Sequence, residues 1–179
     1  VGGFIQSLES PGLTAVMKFF TLLASTVPVV ILSLLAIVLL FAVLGHRREL
    51  VFFLAAVGGS ALLNDVLKSL IRRERPSVHR LAEETGFSFP SGHTMAAFTL
   101  FGALAFLLWR HIPARWGRVL LAVGAALLTI IVGISRIYLG VHYPSDVLGA
   151  MLAGSFWLAL LIWLFQWYME RRYAKARAK

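Results

Sequence analysis

The stretch Ser135-Arg136-Ile137-Tyr138-Leu139-Gly140-Val141-His142-Tyr143-Pro144-Ser145-Asp146 decides how this chain is read. It sets a Ser, an Arg, a His and an Asp between two long apolar runs, at about residues 119–134 and 147–167. Ionisable groups at the edge of a hydrocarbon-loving segment are expensive, so they point to a task rather than to an ordinary interfacial loop. The flanking runs are close to membrane-spanning length. Composition agrees. Of 179 residues, 59% are hydrophobic and 14% charged, with a mean hydropathy of +0.83, where a soluble domain carries about 25% charged residues. A segment in lipid must satisfy its own backbone, so the expected fold class is all-α, a polytopic transmembrane helical bundle. The chain has no Cys, which excludes a disulfide framework and a thiolate metal site. A net charge of +9 is a weak signal by itself, and no nucleic acid is expected as a partner.

Working outward, five spans are expected, at about 27–44, 50–67, 94–109, 119–134 and 147–167. Residues 1–26 read as an interfacial amphipathic helix. Glu9, Ser10, Pro11 and Gly12 form its entry turn, and Leu13, Val16, Met17, Phe20 and Leu23 recur at helical spacing. A short, partly polar span is the alternative. Gly58, Gly59, Ser60 and Ala61 suit close helix packing. Trp157, Trp163, Trp167 and Tyr168 suit an aromatic belt. There is no internal repeat, so one domain is expected over 1–179, with a transmembrane core at 27–168 and a basic cytoplasmic tail at 169–179.

The loops at 45–49 and 110–118 must share a face with that tail, and together they hold ten of the 17 Lys and Arg. Lys18, Lys68, Arg72, Arg73, Arg75, Arg80 and Arg136 fall on the other face. Positive charge marks the cytoplasmic side, so segments 68–93 and 135–146 are expected together on the extracytoplasmic face. An odd span count and an opening Val1 lead to the expectation of one further upstream span, six in all with both ends inside.

Two other polar islands hold complementary chemistry. The first is Lys68-Ser69-Leu70-Ile71-Arg72-Arg73-Glu74-Arg75-Pro76. Lys68, Arg75 and Arg136 are three cations suited to surround one phosphate, Arg by planar bidentate bonds and Lys as a point charge. Pro76 is expected to stop the preceding helix and fix Arg75 at its rim. Arg72, Arg73 and Arg80 read as interfacial lipid anchors. The second island is Phe89-Pro90-Ser91-Gly92-His93-Thr94. Ser91 is a candidate N-cap, the free N–H groups behind it make an anion site, and Gly92 admits a close approach. His93 sits in the same first turn.

In the opening stretch, Pro144 is placed to start a helix. His142 and Asp146 share a face if the turn is already helical there. Asp146 then accepts a hydrogen bond from one ring nitrogen and leaves the other free to attack phosphorus. Ser135 has no assigned role. Asp65, Glu74, Glu83 and Glu84 are not spaced as a ligand set, and neither a metal nor a cofactor is expected.

Written as Lys-x6-Arg-Pro, Pro-Ser-Gly-His and Ser-Arg-x5-His-x3-Asp, the three islands resemble the signature of the type-2 phosphatidic acid phosphatases, or lipid phosphate phosphatases, over about residues 50–168. The resemblance implies an enzyme that hydrolyses the phosphomonoester or pyrophosphate of a membrane lipid without metal. It implies His142 as nucleophile through a phosphohistidine, His93 as general acid and then base, and Asp146 as the group that orients His142. It implies Lys68, Arg75, Ser91, Gly92 and Arg136 as phosphate-binding residues.

The compact chain is similar to bacterial members, most of all to the phosphatidylglycerophosphate phosphatase type, with undecaprenyl pyrophosphate phosphatase as the rival. The motifs read only the phosphate and do not choose between them. Residues 77–88, with His79, Arg80, Glu83 and Glu84, form either a headgroup-facing loop or a solvated linker. A transporter would set its charges near the bilayer midplane rather than at span ends. A non-catalytic lipid-phosphate-binding protein would not need His93, His142 and Asp146 together. The expected partners are a lipid phosphate and the bilayer of the bacterial cell membrane; oligomeric state is not legible.

Overall fold

A computed structural model describes residues 7–43, 47–77 and 80–177, and no strand occurs among them. Helix α1 (Pro11–Leu23) begins where the Ser10 side chain accepts the Leu13 N–H at 3.3 Å and Pro11 takes the first helical position. The chain breaks at Ala24–Ser25 and resumes as α2 (Thr26–Val38), which continues into a π-helical turn over Leu39–Val43. Pro28 in the first turn of α2 has no N–H to carry the ladder back across the break. Then follow α3 (Arg47–Ile71), α4 (Gly92–Leu108) with a 3-10 turn at Trp109–His111, α5 (Arg115–Tyr138) and α6 (Pro144–Arg177).

Helices α3 to α6 are each long and apolar enough to cross a membrane. The first expected span is different. Pro11–Leu23 and Thr26–Ala42 meet the same test only as a pair bent by 48°. Of the five expected spans four are single helices of spanning length, and the first, expected at 27–44, reaches that length only together with α1, the segment read as interfacial, which lies against α5. The basic tail continues α6 through Arg177 instead of leaving it, and Lys175 and Arg177 in the last turn suit the negative end of the helix dipole.

Helix α4 is central and packs on α3, α5 and α6. The core joins Phe52, Phe53 and Ala56 of α3, Leu100, Ala103 and Leu107 of α4, Leu158 of α6 and Ala36 of α2. The rings of Phe52, Phe106 and Phe165 lie 5.0–6.3 Å apart by centroid, the tilted spacing that aromatic quadrupoles favour. Gly59 does serve close packing, because a Cβ there would stand 2.3 Å from the Trp157 ring. Trp157 is thereby taken out of the expected aromatic belt: its indole N–H donates to the Ala55 and Ala56 carbonyls at 3.3 and 3.2 Å. Trp163, Trp167 and Tyr168 remain exposed. At one end of the bundle Arg47, Arg48 and Arg110 cluster, with Arg110 3.8 Å from Glu49. The opposite end gathers all three polar islands.

Candidate active site

Helix α5 stops in a way that aims the next residues back at the bundle. The Gly140 N–H donates to Ile137 at 3.1 Å and the Val141 N–H to Arg136 at 3.3 Å. With Gly140 at φ 70° this is a Schellman cap, and the left-handed position suits Gly. Pro144 opens α6 as expected. His142 lies ahead of the helix, so its pairing with Asp146 is not the helical one anticipated. A local turn makes it instead: Asp146 Oδ2 accepts the Tyr143 N–H at 2.8 Å and stands 3.4 Å from His142 Nδ1.

The other ring nitrogen of His142 faces Arg75, whose Nη1 is 3.1 Å from Nε2. A guanidinium only donates, so Nε2 accepts and the ring proton sits on Nδ1, toward Asp146. Burial holds the His142 imidazole below its ordinary value of 6.5, against the opposing hydrogen bond to Asp146. At neutral pH the ring is therefore neutral, with a lone pair on Nε2. Asp146 is fully buried and well satisfied. Ser88 Oγ donates to Oδ2, and Arg73 Nη1 donates to Oδ1 at 2.9 Å and to Ser145 Oγ at 2.7 Å. The Arg73 guanidinium also lies over the Tyr143 ring, 4.1 Å from its centroid.

A cavity of about 570 Å³ opens in front of His142, with Lys68, Arg75, Glu84, Gly92 and His93 at its polar end. Helix α3 comes close to the start of α4 here: a Cβ on Gly92 would stand 3.3 Å from Asn64 Oδ1 and 3.6 Å from Lys68 Nζ. A second cavity, of about 1030 Å³, shares Glu84 and His93 and is walled by Arg136 and Arg80. Glu84 stands at the junction. Its carboxylate accepts from Arg136 Nη2 and lies 3.8 Å from Arg75 Nη2 and 4.0 Å from His93 Nδ1. Burial pushes the Glu84 carboxyl up, but the charge and hydrogen bond of Arg136, with His93 and Arg75, outweigh it and hold the group below its ordinary 4.5. Arg136 is only 2% exposed; Nη1 donates to Thr21 at 2.6 Å, and Nε has no partner.

Lys68, Arg75, Arg136, His93 and His142 thus converge, with Asp146 behind His142. Several expectations need correction. Ser91 does cap α4, accepting from Thr94 N at 3.4 Å and Thr94 Oγ1 at 2.9 Å, but its hydroxyl is buried and lines neither cavity. Helix α3 ends at Ile71, before Pro76 acts, because Arg72 adopts φ 49° and its N–H closes on the Lys68 carbonyl at 3.0 Å. Arg75 is held mainly by protein, donating to Thr85, Gly86 and Val141 carbonyls as well as to His142.

Arg73 is not a lipid anchor but a partner of Asp146. Residues 80–88 are not a solvated linker: Leu81 N–H binds Leu139 O at 3.0 Å and Ser88 N–H binds Arg73 O at 2.7 Å. His79 lies outside the described residues. Ser135 turns inward and donates to Val132 O at 2.6 Å. Ser88 and Asn64, which donates to Pro90 O at 3.4 Å, had no expected part in the site, and Glu84 was expected only as a member of the 77–88 loop, because nothing in their spacing sets them apart. Among the described residues no three His, Asp or Glu side chains group as a metal set.

Comparison with known proteins places these motifs. The PAP2 superfamily model matches residues 49–170. Phosphatidylglycerophosphatase B of Bacillus subtilis is 40% identical over 119 residues, 66% of this chain and 57% of that protein. A putative undecaprenyl-diphosphatase of Escherichia coli is 37% identical over 135 residues, 70% of this chain and 62% of that protein. The chain therefore spans less than two thirds of the length of these relatives. The crystal structure of a transmembrane PAP2-type phosphatidylglycerolphosphate phosphatase from Bacillus subtilis superposes with a TM-score of 0.75 at 32% identity, over 95% of this chain and 83% of that one. Aquifex aeolicus LpxE shares the fold, with a TM-score of 0.72 at 23% identity. Helices of spanning length and a transmembrane neighbour make the protein an integral membrane protein. The chain belongs to the PAP2 superfamily.

Proposed function

We propose that this protein is a metal-independent lipid phosphate phosphatase acting on a lipid whose tail lies in the bilayer. The observation that carries the reading is His142, backed by buried Asp146 and facing a cavity whose polar end holds Lys68 and Arg75. His142 Nε2 attacks phosphorus as the bond to the leaving oxygen breaks, and His93 gives that oxygen a proton. His93 then takes a proton from water, whose oxygen attacks phosphorus and breaks the P–N bond, releasing phosphate and restoring His142. Lys68, the unpartnered Arg136 Nε, the remaining Nη2 proton of Arg75 and the N–H groups at the start of α4 neutralise the transferring phosphoryl group. Ser91 acts on this site by capping α4.

The reading favoured for substrate is phosphatidylglycerophosphate converted to phosphatidylglycerol, supported by the names of the Bacillus subtilis relative and structural neighbour. Undecaprenyl pyrophosphate is the second reading, supported by the name of the Escherichia coli relative. The cation asymmetry supports an active site on the extracytoplasmic face. The test is phosphate release from a panel of purified lipid phosphates and pyrophosphates in detergent, with and without a strong chelator. Release is expected with chelator present and abolished in His142→Ala. Turnover retained by that variant, or lost wholly to chelator, overturns the mechanism.

A further inference from the structure

Buried hydroxyls in these helices generally satisfy themselves on their own backbone. Thr99 donates to Met95 O and Thr129 to Ala125 O, both at 2.9 Å, and Ser135 to Val132 O. Ser33 of α2 and Ser60 of α3 do not: both oxygens are buried without a partner, and Ser60 is 1% exposed. A buried hydroxyl left unpaired costs free energy, so a missing partner is informative. Both serines line the same cavity, the one whose polar end is Lys68, His93 and His142 and whose remainder is apolar, with Val29, Leu34, Phe53 and Val57.

Depth selects the ligand group. Ser60 lies eight residues before Lys68 on one unbroken helix, about 12 Å down its axis. A terminal phosphate at Lys68 and His142, followed by a glycerol phosphodiester, brings the acyl esters of a glycerolipid to about this level. A polyisoprenoid chain carries no oxygen there. Gly58 adds a second observation. It lines the cavity at an exposed position where a Cβ would meet nothing within 4 Å, so the wall is open there and a large side chain would project into free space.

We propose that this cavity seats the glycerol and upper acyl chains of the substrate, with the Ser33 and Ser60 hydroxyls donating to its ester carbonyls. These two serines then select an ester-linked glycerolipid phosphate over a polyprenyl one. The inference rests on the phosphatase reading for where the phosphate sits.

The test measures binding, so it is readable whether or not the protein turns over. The purified full chain in detergent is titrated with two methylene-phosphonate analogues of phosphatidylglycerophosphate of equal chain length, one diacyl and one dialkyl ether. Wild type is expected to prefer the diacyl analogue by roughly two- to tenfold for each hydroxyl engaged, the worth of one ordinary hydrogen bond. In Ser33→Ala/Ser60→Ala the ratio falls to about one. The single variants give intermediate ratios and serve if the double variant does not fold. Gly58→Leu is expected to weaken both analogues together. Equal affinities in wild type, a ratio that survives the double variant, or binding untouched by Gly58→Leu overturns the proposal. Absence of phosphate release from natural lipids, with the ester preference intact, counts instead against the phosphatase reading alone.

Discussion

Arg75 Nη1 lies 3.1 Å from Nε2 of His142, so the nitrogen proposed to attack phosphorus is held by a cation in the free protein. This contact fixes the tautomer, since the guanidinium has no lone pair to offer. In the proposed reaction the lone pair is freed only when a phosphate oxygen, bound by the remaining Nη2 proton, draws the guanidinium away from Nε2.

The pH profile follows from the environment of His142. Its imidazole must be neutral to attack, and burial holds it below 6.5, so the acid limb of kcat/KM is expected below pH 6.5. The bond to Asp146 opposes burial and raises the imidazole. Asp146→Asn is therefore expected to move that limb to still lower pH while reducing kcat by roughly 10²–10⁴-fold. A limb that shifts upward contradicts the pairing.

Glu84 occupies the space between Arg136 and Arg75, where the proposed reaction seats a phosphate. Removing its charge is expected to tighten inorganic phosphate as a competitive inhibitor by about tenfold in Glu84→Gln, the size of one charge-assisted contact. Arg136 and its neighbours hold the Glu84 carboxyl below 4.5. The wild-type carboxylate therefore stays charged down through that value, and the difference between the two proteins is lost only below pH 4.5. Inhibition constants measured from pH 7 to pH 4 check both parts.

Arg73 touches the proposed nucleophile only through its pair with Asp146, and is itself 37% exposed on its side chain. Solvent screening keeps its contribution to stability small, within about 1 kcal/mol. Arg73→Ala is expected to lower kcat by about tenfold with KM nearly unchanged, and Arg73→Lys to recover part of it. A melting point that falls sharply in Arg73→Ala shows instead a structural part for the side chain.

The absence of native Cys makes sidedness directly measurable. Glu83 in the loop over the site and Ala114 ahead of α5 are both exposed. An impermeant maleimide on intact cells is expected to label Glu83→Cys, and to label Ala114→Cys only after permeabilisation. The reverse pattern puts the site on the cytoplasmic face.

Much of this site was legible in the sequence because its signals are local. Hydropathy over a window marks a span, and Lys68, Arg75, His93, Arg136, His142 and Asp146 are set apart from equally polar neighbours such as Arg72 by the three motifs that resemble the type-2 phosphatidic acid phosphatase signature. Ser91 before Gly92 and Pro144 before Asp146 carry helix-start chemistry in their own residue types. The tertiary structure alone decided what contacts at long range decide. Glu84 lies 52 residues from Arg136, Ser88 58 from Asp146, and Arg73 73 from the same carboxylate. Each reaches its partner from irregular backbone, which has no period to read. The same holds for Trp157, whose place is set by a gap at Gly59 on another helix, and for Ser33 and Ser60, whose lack of partners becomes visible only once the helices have packed.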